Sequence, residues 1–362
     1  MKKRSNIINY VATLAVTVAT LFAVVLICNN RYGGRMIDAV IKLVVGALFA
    51  GIINAFAHEL GHLIAGKKNG FVLSEITVWF FRWKRIGKKT KFSLVMIGDE
   101  AGYTEMIPTK KENVKIGFIK MTRGGIIASL VLTIFGLPPL FMPFLPVWVF
   151  VLWAMFLPMG AYYFFGNFLP VISMGARNDG AVLLSMKKND DASKGTENLL
   201  KIQAELYHGK TPSEIDDELY FNLPQLPEDD MLFAMLLNAR YAYFLDKEDF
   251  ENAKKVLDRL LSLEEYLPKS FFTIVKTEAL YSACTFDFDE EKADDLVYEL
   301  EKFLNNVNVS LTVRAKLAYL LNVKRESDGL DIFFSKGYKE ADKQQIKGLR
   351  EFERKLLDRL KN

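Results

Sequence analysis

Apolar positions fill the first half of the chain in long blocks and the second half in short periodic ones. Residues 7–27 carry no charge, and a run of about 20 such residues crosses a bilayer as a helix. A cleaved signal peptide is the competing account of this block. Its length, and the lack of small residues at Ile27-Cys28-Asn29-Asn30, argue against cleavage. After a polar turn at 29–35, a second block covers 36–66, interrupted only by Asp38, Lys42 and the segment 58–62. A third covers 124–144, ended or broken by Gly136, Pro138, Pro139 and Pro143. A fourth covers 147–165, with kinks expected at Pro158 and Gly160.

Between the second and third blocks the period changes to two. Val72, Ile76, Val78 and Phe80 fall at alternate positions or close to them, as do Phe92, Leu94 and Met96. Gly87-Lys88-Lys89 suits a hairpin turn, and residues 98–102 suit another, so a small β-sheet is expected at the membrane surface. Residues 167–180 are too polar and too small to face lipid, and a helical pattern resumes at 181–186. From residue 190 onward the pattern is helical. The segment with Ala239-Arg240-Tyr241, Ala253 and Val256-Leu257 matches Ala279-Leu280-Tyr281, Ala293 and Leu296 at an offset of 40, the look of a helix-hairpin repeat. A charged helix is expected at 351–360.

The expected fold is therefore mainly α. A polytopic helical membrane domain with a small membrane-associated β-element (residues 1–189) precedes an all-α soluble domain (residues 190–362). Charge follows the same division. Residues 1–186 hold 20 Lys and Arg against 8 Asp and Glu, and the remainder holds 27 against 35. Basic residues flanking apolar spans suit an anionic bilayer surface and exclude a nucleic-acid partner, which needs them along one polar face. The basic tip at Lys2-Lys3-Arg4 and the cluster from Lys67 to Lys91 belong on the cytoplasmic side. Four crossings return residues 190–362 to that side, so both termini are expected in the cytoplasm of a multi-pass protein of the cell membrane. Cys28 and Cys284 then fall in different compartments, which argues against a disulfide.

Histidine is scarce: His58, His62 and His208. The first two belong to His58-Glu59-Leu60-Gly61-His62, the HExxH pattern. On a helix, positions four apart share a face, so both imidazoles reach one metal ion. Two neutral ring nitrogens suit zinc, and Glu59 beside the first His is placed to act as general base on the attacking water. Such a charged trio inside an apolar block marks a functional site.

A hydrolytic zinc needs a third protein ligand. Cys and His are too few, and His208 lies in the soluble half. Asp38 belongs near the outer surface. Glu75, Asp99, Glu100, Glu105 and Glu112 are expected to be solvated loop residues. Asp179 remains, beside Gly180, and its competing role is to cap the helix at 181–186.

With these residues the chain resembles the site-2 protease family of intramembrane zinc metallopeptidases. The resemblance rests on His58-Glu59-Leu60-Gly61-His62, on Asn167-Phe168-Leu169-Pro170 followed by Asp179-Gly180, and on Gly124-Gly125 at the start of the third block, and it covers roughly residues 36–186. It implies zinc held by His58, His62 and Asp179, with Glu59 as the base and Asn167 holding substrate or stabilising the oxyanion. It implies that the strands pair with an unwound substrate. One departure stands out: Asp179 comes nine residues after Pro170, where the family places it about five after, so residues 173–178 contain an insertion.

The expected activity is hydrolysis of peptide bonds in transmembrane or membrane-associated substrates, as in regulated intramembrane proteolysis. The expected partners are that substrate, the lipid bilayer and a cytoplasmic protein docked on the C-terminal helices. The rival readings are an inactive membrane zinc-binding scaffold, and a prenyl-peptidase-type enzyme whose Glu ligand would have to come from the region of Glu340-Ala341-Asp342 in the soluble half. A serine protease has no Gly-x-Ser-x-Gly elbow to rest on in the apolar half.

Overall fold

The computed structural model describes residues 2–33, 36–87, 89–95, 102–173, 175–326 and 329–361. In chain order, helices α1 (Lys2–Tyr32) and α2 (Met36–Lys68) lead into strands β1 (Phe71–Val78), β2 (Phe81–Ile86), β3 (Lys89–Leu94) and β4 (Gly102–Pro108). Helices α3 (Val114–Phe135), α4 (Val147–Ala154) and α5 (Phe156–Phe168) follow, then a two-strand hairpin, β5 (Ile172–Ser173) and β6 (Ala176–Arg177), and helix α6 (Asp179–Lys188). The remainder is helical: α7 (Asp191–His208), α8 (Glu218–Phe221), α9 (Met231–Asp246), α10 (Phe250–Leu261), α11 (Lys269–Cys284), α12 (Glu290–Asn306), α13 (Ser310–Asn322), α14 (Leu330–Asp342) and α15 (Lys347–Lys361).

Among the described residues, four helical stretches are long and apolar enough to cross a membrane: Asn6–Tyr32, Asp38–Lys68, Val114–Phe141 and Val147–Phe168. They carry the exposed large side chains expected of a surface in contact with lipid, among them Val11, Val18, Val44, Leu48, Val131 and Ile134. The chain is a membrane protein on this evidence. Hydroxyls within the first span are answered locally. Thr13 and Thr17 donate their hydroxyls to carbonyls one turn back, as a medium without water demands.

The spans differ in detail from the apolar blocks. Helix α1 continues past residue 29 to Tyr32, where Arg31 reaches across to the carbonyls of Pro139 and Met142. Helix α3 begins ten residues before the apolar block, at Val114, because its first turns are an amphipathic extension rather than lipid-facing helix. The fourth span is two helices, α4 and α5, meeting at Met155. Pro158 is the cause: it lacks an N–H to give to the Ala154 carbonyl, and its ring crowds that oxygen.

Helices α2 and α3 cross at unusually short range. A Cβ on Gly61 would overlap the Gly124 carbonyl, and one on Gly124 would overlap that of Gly61. Small residues at the crossing let the two backbones touch, as membrane helices require when no hydrophobic force drives them together.

The sheet is antiparallel, in the order β3-β2-β1-β4. The β1–β2 connection is a tight turn at Trp79-Phe80, with Trp79 in the left-handed region at φ 55°. Phe80 therefore belongs to the turn and not to the strand that alternation alone would continue. Arg35, Lys88, Met96 and residues 98–101, with Asp99 and Glu100 among them, lie outside the described residues. Glu75 corrects an expectation. It is buried in the sheet, paired with Lys84 at 3.1 Å and accepting from the Tyr103 hydroxyl, so it is not solvated. Glu105 and Glu112 are exposed as expected.

Helices α9–α10 and α11–α12 form two similar hairpins. Tyr241 and Tyr281 are buried at matching positions, as are Ala253 and Ala293. Asp249 and Asp289, also 40 apart, accept from the backbone N–H three residues on and cap α10 and α12. The helical region packs on the sheet side of the membrane helices. Leu200 of α7 joins Phe71, Met106, Val114 and Met121 in one apolar cluster. Lys111 pairs with Glu205 at 2.7 Å, and His208 Nε2 donates to the Thr109 carbonyl at 2.6 Å. Cys28 and Cys284 are both free and buried.

Candidate metal centre

His58, Glu59 and His62 lie in the last third of α2 and are 5%, 6% and 8% exposed. The helix places the two imidazoles on one face, with Nε2 of each 3.1 Å apart. Asp179, the first residue of α6, brings Oδ2 to 3.3 Å from His58 Nε2 and 3.2 Å from His62 Nε2. The three donor atoms thus form a nearly equilateral triangle. Ligands about 2.0–2.1 Å from zinc at tetrahedral angles stand about 3.3 Å apart, which is the edge seen here.

The protonation pattern follows from what lies behind each ring. His62 Nδ1 is 3.0 Å from the Met121 carbonyl, which can only accept, so Nδ1 carries the proton and Nε2 presents a lone pair. His58 Nδ1 is 2.9 Å from Ser129 Oγ, a hydroxyl that can either accept the ring proton or donate to the ring, so it is compatible with the same tautomer without imposing it. Asp179 Oδ2 is buried and, among the described residues, has no hydrogen-bond donor. With both rings in that tautomer, three acceptors converge on one point, and among the described residues no donor lies between them. A cation resolves that arrangement, and the set of two imidazoles and a carboxylate is one that zinc takes.

Helix α3 builds the back of the site with one stripe. Met121, Gly125 and Ser129 recur every four residues and so share a face. Met121 and Ser129 supply the outer hydrogen bonds, which orient ligand imidazoles. Between them Gly125 leaves the room that the rings occupy.

Asp179 is free to point at the histidines because its neighbour takes over the capping. Asn178 Oδ1 accepts from Ala181 N–H at 3.0 Å and from Val171 N–H at 2.9 Å. Its Nδ2 donates to the carbonyls of Gly166 and Leu169 at 2.6 and 2.8 Å. All four hydrogen-bonding positions of this amide are used. Asn178 thus caps α6 and fastens it to the end of α5, and Asp179 stands one residue inside the helix. The capping role weighed for Asp179 belongs to Asn178.

Glu59 points to the sheet side. Its Oε2 accepts from Thr104 Oγ1 at 2.7 Å, and a Cβ on Gly102 would stand 3.1 Å from Oε1. The carboxylate lies within electrostatic reach of His58, His62 and Asp179 without joining their triangle. Asn167 lies on α5, half-buried, with Nδ2 donating to the Tyr163 carbonyl at 2.9 Å, while its own carbonyl borders Gly180. Asp38 is exposed at the far end of α2, paired with Lys42. Glu340 and Asp342 lie on α14 in the helical region.

Four contributors were not singled out in the sequence: Ser129, Thr104, Asn178 and the Met121 carbonyl. Asn178 had a readable signal, as an Asn directly before a helix start. The others had none: a serine in an apolar helix ordinarily bonds its own helix, a strand threonine does not reveal what it faces, and a backbone carbonyl such as that of Met121 leaves no mark in the sequence.

No family model, no curated protein and no solved structure matches this chain.

Proposed function

We propose that the protein is an intramembrane zinc metallopeptidase of the site-2 protease kind, hydrolysing peptide bonds of transmembrane or membrane-associated substrates. The observation that carries this reading is the convergence of His58 Nε2, His62 Nε2 and Asp179 Oδ2, each otherwise unpartnered by a donor, beside a buried carboxylate that is not one of them. Three protein ligands leave one tetrahedral position open, the mark of a catalytic rather than a structural zinc. That count also weighs against the reading as an inactive scaffold.

Zinc, when bound, supplies Lewis acidity that polarises a carbonyl and acidifies a water. Glu59 takes the proton from the attacking water and delivers it to the leaving amine. Thr104 holds Glu59 through Oε2, so one carboxylate oxygen is fixed and the other is left to move the proton. The Met121 carbonyl keeps His62 in the ligating tautomer, and Ser129 orients the His58 ring.

The substrate must be extended at the cleaved bond, because a helix buries its carbonyls in its own hydrogen bonds. Strand β4 is an edge strand, and its Gly102 and Thr104 pass directly over Glu59. An extended segment pairing on that edge lies beside the base. Asn167, on the neighbouring helix, is the further candidate for contact with the substrate backbone. The basic tip at Lys2-Lys3-Arg4 and the basic residues of the sheet argue for termini and a helical region in the cytoplasm of a cell-membrane protein, with that region docking a cytoplasmic partner.

The test is to measure zinc and hydrolysis in the same preparations. The native chain carries one zinc. His58→Ala and His62→Ala lose it. Glu59→Gln keeps it but cuts peptide hydrolysis by about 10²–10⁴-fold or more. Cleavage by Glu59→Gln at the native rate, or full zinc in the doubly substituted His58→Ala/His62→Ala chain, overturns the reading.

A further inference from the structure

The insertion ahead of Asp179 is the β5–β6 hairpin, and the C-terminal helical region grips it at the tip and at its base. Ile172 pairs with Arg177 and Ser173 with Ala176 across the hairpin. At the tip, Gly175 has φ 76° and lies so close to the Asp229 carbonyl that a Cβ would overlap it. Its own carbonyl accepts from Met231 N–H at 3.3 Å. At the base, the Arg177 guanidinium binds Asp230 with both nitrogens, Nη1 to Oδ1 at 2.7 Å and Nη2 to Oδ2. Asp230 is also the cap of α9, accepting from Leu232 N–H at 3.1 Å. The side chains of this pair are 15% and 5% exposed, so the pair is sheltered from solvent and from salt.

Arg177 stands two residues before Asp179, and the residue between them is Asn178, whose amide is fully engaged. The hairpin strand opposite is held from the other side, where Asn6 Oδ1 accepts from Ile172 N–H at 3.2 Å. Asp179 thus hangs on a short, stiff segment with one anchor in the membrane helices and one in the helical region. The two histidines need no such help, because both ride on one helix.

We infer that Arg177 and Asp230 are positioning residues for the third metal ligand, so that the docked C-terminal helical region sets the metal affinity of the membrane site. This rests on the metal reading given above. Releasing the Arg177–Asp230 contact loosens the hairpin, widens the excursions of Asp179, and leaves two ligands where there were three. A protein or membrane event that displaces α9 then acts on the metal site without touching it.

The test uses the full chain in detergent, with zinc alone as probe and a chromophoric chelator as competitor. Arg177→Gln removes the guanidinium and leaves the helical region untouched. Asp230→Asn removes the charge and keeps an oxygen for the α9 cap. Each is expected to raise the zinc Kd about 10-fold or more, the usual effect of losing an outer support of a ligand. The double variant is expected to bind no more weakly than the weaker single one, because the two residues act as a unit. Asp230→Glu, which restores the charge, recovers most of the loss. Glu228→Gln, which breaks an exposed pair with Arg259 in the same loop, leaves affinity unchanged. Because the two single substitutions lie in different parts of the fold, misfolding of one leaves the other to decide. Native affinity in both single variants, with zinc still lost in His62→Ala, overturns the inference and spares the metal site. Native affinity in His62→Ala overturns the metal site, and this inference with it.

Discussion

Gly125 backs directly onto His62: a Cβ built on Gly125 would overlap the imidazole Nε2 and would stand 2.9 Å from His58 Cε1. The atom displaced is the one the proposed function assigns to the metal. Gly125→Ala is therefore expected to abolish stoichiometric zinc while leaving helix α3 intact, since Ala is the better helix former. Gly166→Ala is the control, because its Cβ meets nothing closer than 3.9 Å. Zinc content per chain after gel filtration decides the point, and a Gly125→Ala protein with full zinc would show that the rings sit elsewhere.

Ser129 offers a graded version of the same test. Ser129→Ala leaves His58 Nδ1 without its partner and frees the ring to rotate. The expected result is zinc binding weakened about 10–100-fold with the fold unchanged. Chelator competition measures it, and equal affinity would remove Ser129 from the site.

Arg314 tests the helical region. Its side chain is fully buried, lies 4.1 Å from the centre of the Tyr281 ring, and binds Glu278 at 2.8 Å and Glu353 at 3.1 Å. Arg314→Met leaves the buried Glu353 without its cation and Glu278 with only the Tyr241 hydroxyl, at a cost of about 3–5 kcal/mol. The urea midpoint followed by circular dichroism should fall accordingly. A change below about 1 kcal/mol would mean that the carboxylates find other partners.

Topology needs introduced cysteines, because Cys28 and Cys284 are both buried and poorly placed for labelling. With those two replaced by Ala, Asn30→Cys lies at the exposed end of α1 and Tyr298→Cys on an exposed face of α12. A membrane-impermeant maleimide applied to intact cells should label the first. It should reach the second only after the membrane is opened. Labelling of Tyr298→Cys in intact cells would overturn the four-crossing arrangement.

The membrane helices, the all-helical second half and the pair of histidines could be read from the sequence, because each depends on residues close together in the chain. Apolar run length sets the spans, and a spacing of four sets the shared face of His58 and His62. The period of two revealed strands, but not the pairing order β3-β2-β1-β4 or the burial of Glu75, since an isolated strand does not reveal which neighbours it acquires. The identity of Asp179 as a candidate ligand came by elimination. Its freedom to ligate came only from the fold, where Asn178 takes the cap and reaches back to Gly166 and Leu169. Ser129 and Met121 lie 71 and 59 residues from the rings they orient, and Thr104 lies 45 from Glu59. No local pattern encodes such partners. Ser129 and Met121 reach the rings because Gly61 and Gly124 let α2 and α3 touch, and Thr104 reaches Glu59 because β4 lies over α2; both contacts are properties of the packed chain.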